Sequence, residues 1–151
     1  MKERRRIKSV LFLNLITLLL MFPSAQARSR SQSIFEYVAG TESLPKGCKG
    51  KLEVTQTALV FESPEGSITV PYAGITRMEY GEKVSKQIRK MELSWAIKPS
   101  SSRSKHEGYF TVLYSEKNQT HAMILKVSPD TMRPYLAEID LRSGLPIHDS
   151  E

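Results

Sequence analysis

The sequence predicts a mainly β protein, a seven-stranded antiparallel sandwich or partly open barrel capped by a C-terminal α-helix. Three observations carry this. Up to residue 127, short alternations of apolar and polar residues recur, bounded by turn residues such as Gly, Pro, Ser and Asn. Beyond residue 128 the spacing becomes that of one helical face, with Met132, Tyr135, Leu136 and Ile139 at i, i+3, i+4 and i+7. The 151-residue chain has one cysteine, so the core must form by packing without disulfide staples.

The first 33 residues stand apart from the domain. A basic start, MKERRRIK, leads into the apolar run Val10 to Phe22 and then into PSAQA, the three parts of a secretory signal cleaved after Ala27. The run has 13 residues and is broken by Asn14 and Thr17, short of the about 20 a membrane span needs. The alternative reading is an uncleaved N-terminal helix that tethers the protein to a membrane. Residues 28–33, RSRSQS, have no apolar period and read as a disordered leader, which places the domain at 34–148 and the mature protein in a secreted or periplasmic location. Charge divides the same way: Lys2, Arg4, Arg5, Arg6 and Lys8 against Glu3 give +4 to the signal, leaving +2 of the total +6 for the rest. That balance and export both argue against nucleic-acid binding.

Each element has its own signal. FEYVAGT (35–41) alternates and is a short lead-in strand, ended by Gly40 and the turn residues of SLPKGCKG. Seven strand candidates follow. KLEVT (51–55) and ALVFE (58–62) flank a tight Gln56-Thr57 connection, and Ser63-Pro64-Glu65-Gly66 is a strong turn before SITVP (67–71). Tyr72-Ala73-Gly74 makes a corner into ITRMEY (75–80). Pro71 sits at a strand end, and Gly74 supplies backbone angles that a β-branched residue resists. MELSWAIK (91–98) is the fifth candidate, and GYFTVLYS (108–115) and THAMILKV (120–127) form a hairpin around Glu116-Lys117-Asn118-Gln119. The helix has Ser128 or Asp130 as N-cap and Gly144 as its stop. Pro134 pushes its regular start to Thr131 or later, and Leu145 and Ile147 pin the tail to the body.

The stretch GKLEVTQTALVFESPEGSITVPYAGITRMEYG resembles the bacterial PH-like and GRAM-like domains of the pleckstrin-homology superfold. The residues that carry the resemblance are Gly50, Thr55, Phe61, the Val70-Pro71 step and Ile75, over about residues 50 to 81. The later strands and the helix agree with it in order. The resemblance implies two near-orthogonal sheets with the helix closing one end. In eukaryotic pleckstrin-homology domains a phosphoinositide is held by basic residues around the first hairpin, but the turn here is Thr55-Gln56-Thr57, without Lys or Arg, so that activity does not carry over.

Residues that carry chemistry are sparse. His106, His121 and His148 have no paired spacing with one another or with Cys48, which excludes a recognisable zinc motif, and no G-x-S-x-G elbow, P-loop or dinucleotide fingerprint is present. No cofactor is expected. Cys48 reads as a small half-buried residue, with an intermolecular disulfide left open. Asn118-Gln119-Thr120 matches the N-glycosylation acceptor pattern but reads first as a hairpin loop. The one candidate surface is basic: Lys83, Lys86, Arg89 and Lys90, with Arg103 and Lys105 in the following loop, suited to an anionic membrane surface or an acidic protein or peptide. Val84, Ile88 and Met91 lie among them at helical spacing. The expectation is an exported, non-enzymatic PH-like binding module of the cell envelope. The alternative is a small secreted enzyme or enzyme inhibitor with an unrecognised site.

Overall fold

The computed structural model describes residues 34–91, 93–95 and 107–150, with the backbone alone for Ser94 and Trp95. The predicted signal segment and leader, and Glu92 and the last three residues of the fifth strand candidate, lie outside the described residues.

Within them the chain is mainly β, with nine strands where seven and a lead-in were expected. They are β1 (Phe35–Gly40), β2 (Lys49–Val54), β3 (Ala58–Ser63), β4 (Gly66–Pro71), β5 (Ile75–Gly81), β6 (Ser94–Trp95), β7 (Gly108–Glu116), β8 (Gln119–Val127) and β9 (Ile147–Asp149). A one-turn helix, α1 (Lys86–Arg89), follows β5, and the long helix α2 (Pro129–Ser143) follows β8. The strands form one open sheet in the order β4-β3-β2-β1-β8-β7-β5-β9, with β6 added to β1. The expected lead-in strand is thus its centre. β1 pairs with β2 through Phe35 and Glu36 and with β8 from Glu36 to Gly40, across a bulge between Tyr37 and Ala39. The fifth strand candidate shrinks to the two residues of β6 within the described chain.

Turn chemistry sets the register. Pro64 and Glu65 join β3 to β4 with Ser63 opposite Gly66, and Lys117 and Asn118, both with positive φ, join β7 to β8 with Glu116 opposite Gln119. Positive φ at both central residues gives a two-residue turn whose twist matches that of the flanking strands. The β2–β3 turn closes on itself: the Ala58 and Thr57 N–H groups donate to Thr55 Oγ1 at 3.0 and 3.3 Å, and Tyr72 Oη donates to the Thr55 carbonyl at 2.8 Å.

Tyr72–Gly74 forms the expected corner as a single 3-10 turn between β4 and β5, and Pro71 is exposed at the end of β4. The reason given for Gly74 needs correction. Its φ is not in the left-handed region, and the constraint is space, since a Cβ there would lie 3.1 Å from the Ser115 carbonyl oxygen.

One face of the sheet curls over the main core. Ile68 and Val70 of β4 share a buried cluster with Met78 of β5, Phe110 and Val112 of β7, and Met123 and Leu125 of β8, although β4 and β5 do not pair. α2 closes that interior with Met132 and Ile139, and Tyr135 meets Phe35 edge to face at 5.1 Å. Ser128 caps the helix by accepting from the Thr131 N–H, and Gly144 ends it at φ 65°. The helix begins at Pro129, ahead of the expected Thr131. Proline suits the first helical position, and Pro134 lies inside the helix, where its missing N–H leaves one backbone bond unmade. Leu145 and Ile147 pack on the core as expected, and the tail adds β9 parallel to β5, the one parallel pair among the described residues. Cys48 is buried, not half-buried, and burial pushes its thiol pKa up. Among the described residues no helix is long and apolar enough to cross a membrane.

Candidate anionic-surface interface

A second, smaller cluster covers the opposite face of the sheet. There Ala39 of β1, Leu113 of β7, and Ala122 and Ile124 of β8 are buried beneath Val84 and Ile88, with Met91 and Leu93 half-buried beside them. This explains why β7 and β8 are apolar on both faces. It also explains α1: a helix of four residues has too few bonds to persist alone, and Ile88, 0% exposed, anchors it. The Arg89 N–H donates to the Ser85 carbonyl at 3.1 Å and the Met91 N–H to that of Ile88 at 3.0 Å.

Val84, Ile88 and Met91 pack toward the sheet and Ser85 is buried with them, which leaves the basic residues of the segment on the solvent side. Lys83, Lys86, Arg89 and Lys90 are all exposed, and against Glu82 they give the segment 82–91 a net charge of +3. None of the four is in an ion pair among the described residues. Elsewhere Arg77, Lys117, Lys126, Arg133 and Arg142 each meet a carboxylate. The structure therefore brings four of the six expected basic residues onto one short, anchored segment. Arg103 and Lys105, expected to join them, lie outside the described residues. Lys49 and Lys51 are also outside any described ion pair, but sit apart on β2 at a groove of about 380 Å³ shared with Ile34, Glu62 and Pro64.

No family model matches the chain, and no curated protein does.

A second constellation escaped the sequence reading. Beyond β1 the chain folds Thr41 and Glu42 over the ends of β7 and β8. Glu42 Oε1 accepts from Tyr114 Oη at 2.6 Å and lies 3.0 Å from His121 Nδ1, while His121 stacks on Tyr114 with centroids 5.3 Å apart. An ionised carboxylate only accepts, so His121 Nδ1 carries a proton in this arrangement. Thr41 Oγ1 lies 3.2 Å from the same nitrogen and accepts from the Ala122 N–H at 3.1 Å. Hydroxyl and carboxylate thus crowd one imidazole nitrogen. A nucleophile relay needs them on opposite nitrogens, so the cluster acts as a clamp on the loop. Burial, then the bond to Glu42 and its charge, hold the Tyr114 pKa well above the usual phenol range, and burial pushes Tyr37 up to about 12. The partners are 72 and 79 residues apart in sequence, so no local spacing announces them.

Among the described residues no three His, Cys, Asp or Glu side chains are grouped to hold a metal.

Proposed function

We propose that the protein is an exported, non-enzymatic binding module of the PH-like superfold that uses the exposed face of residues 82–91 to dock on an anionic lipid surface of the cell envelope. The observation that carries this reading is the set of four cations on a segment whose apolar side is anchored to the sheet, with no carboxylate pairing any of them among the described residues. Cations neutralised by a paired carboxylate add little to a surface potential. Unpaired cations at fixed positions add about 1 kcal/mol each near an acidic membrane. The PH-like assignment is supported by the chain order: a four-stranded meander, a corner at Tyr72–Gly74, a second meander of β5, β7 and β8, and a closing helix. Export rests on the basic, apolar and small-residue pattern of residues 1–27.

The test is flotation with vesicles of phosphatidylcholine alone or mixed with phosphatidylglycerol, at low and high salt. Wild type should float only with the acidic vesicles and lose binding as salt rises. A chain with Lys83, Lys86, Arg89 and Lys90 all changed to Ser should bind about a hundredfold or more weakly, by the contribution per cation above. Equal flotation of wild type and variant, or no flotation of wild type in any lipid, would sink the proposal.

A further inference from the structure

We infer that the outer edge of β5 is an acceptor site for an extended peptide strand, and that β9 is its resident, displaceable occupant. This goes beyond the lipid-docking reading and uses a different surface. β5 pairs with β7 from Ile75 to Gly81 on one side. Its other edge is taken up in part by the tail that follows α2. Gly144 turns the chain back, and Ile147, His148 and Asp149 lie parallel to β5 opposite Met78, Glu79 and Tyr80. The Ser150 N–H donates to the Tyr80 carbonyl at 3.2 Å and Ser150 Oγ to the carbonyl of Lys83.

The resident fits this edge only in part. It covers three of the seven β5 residues, and no strand pairs with Ile75 to Arg77 on that side among the described residues. Pro146 has no N–H with which to extend the ladder. His148 and Asp149 are exposed, leaving Ile147 as the strand's half-buried anchor. Strands this short, with so little burial, open at far lower free energy than the core.

The ligand's chemistry can be read from the register. An aliphatic side chain belongs at the place of Ile147, against the core beside Met78. The next position lies beside Glu79, which is 1% exposed: its Oε1 takes Arg77 at 2.6 Å, while its Oε2 is buried with no hydrogen-bond partner. An unanswered carboxylate oxygen favours a donor, and His148 makes no bond to it. The site therefore fits an extended segment of a partner protein that runs parallel to β5, with an aliphatic residue followed by lysine or arginine. The backbone ladder supplies the general affinity and these two side chains the selection.

Two measurements on the full chain test this. Hydrogen exchange should show the Ile147 to Ser150 amides exchanging about a hundredfold or more faster than those of β7 and β8. Exchange of both sets at one common slow rate would mean β9 is a fixed part of the fold and would overturn the inference. In the second, labelled peptides SGLPIHDSE and the same peptide with arginine for histidine are titrated against wild type and Ile147→Asp by fluorescence anisotropy. The variant, with its resident strand weakened, should bind the arginine peptide about tenfold or more tighter than wild type does. The arginine peptide should outbind the histidine peptide, and this advantage should vanish when Glu79→Gln is added. Ser150→Ala, which loosens the tail without touching the core, replaces Ile147→Asp if circular dichroism shows that chain unfolded. Equal binding by wild type and variant, no peptide binding, or an arginine advantage that survives Glu79→Gln would each overturn the assignment.

Discussion

The Tyr114 hydroxyl donates to Glu42 Oε1 at 2.6 Å, which ties the loop after β1 to the far end of β7. A bond to an ionised acceptor is stronger than a neutral one, and here it also holds a loop whose Leu44 packs on the main core. Tyr114→Phe should therefore lower stability to urea by about 1 to 3 kcal/mol. A double-mutant cycle with Glu42→Gln should show coupling of about 0.5 kcal/mol or more between the two sites. Additive effects would mean the contact does not hold the loop.

The same phenol sets an alkaline limit. Tyr114 and Tyr37 are raised in the folded protein, Tyr37 to about 12, whereas unfolded tyrosines titrate near about 10. Above that pH the unfolded chain loses protons that the folded chain keeps, so stability falls as pH rises. It should be complete below about pH 10 and decline from there through the folded value of Tyr37. Urea unfolding at about pH 8 and about pH 11 measures the fall, which should be shallower in Tyr114→Phe. Parallel losses in the two proteins would show that other groups set the limit.

Ile88 joins the basic segment to the sheet. Ile88→Ala should cost about 2 to 5 kcal/mol if α1 is an integral cover, measured by thermal or urea unfolding. It should also weaken flotation on acidic vesicles although all four cations remain, because they would lose their fixed spacing. A loss of under about 0.5 kcal/mol would show α1 to be loosely applied.

Pro134 is a site where the sequence opposes the helix it sits in. It is exposed, so replacing it removes no core contact, and alanine would restore an N–H for the Asp130 carbonyl. Pro134→Ala should raise the melting temperature, with a gain of about 1 to 3 kcal/mol. A lower melting temperature would mean that the proline's fixed backbone angle contributes more than the missing bond costs.

What the sequence disclosed depended on the range of the signal. From residue 49 to 81, alternation and turn residues act on near neighbours, and the strands fall within a residue or two of expectation. The corner at Tyr72–Gly74 was legible for the same reason, although Gly74 answers to the Ser115 carbonyl and not to its own φ. β1 looked like a lead-in because its partner β8 lies at the other end of the domain. In Phe110 to Tyr114, interrupted only by Thr111, and in Ala122 to Leu125, near-continuous apolar character marked strands buried on both faces, and so implied a cover on the second face. Val84, Ile88 and Met91 were that cover, visible as a spacing but not as a destination. β9 has no pattern of its own. Glu42, Tyr114 and His121 meet only through the folded sheet.

The central place of β1 constrains the order in which the protein can assemble. A chain emerging from its N-terminus delivers β1 ahead of the other strands, and β8, which pairs with it from Glu36 to Gly40, nearly last. β2, β3 and β4 can pair as soon as they appear, since short turns join them. Val38 and Ala39 must wait, on an open edge, until the hairpin of β7 and β8 arrives. The sheet therefore closes late, through its most distant contact, and folding should be slow for a domain of this size. A partner that shields this waiting edge would speed the yield of native protein without adding anything to its final stability.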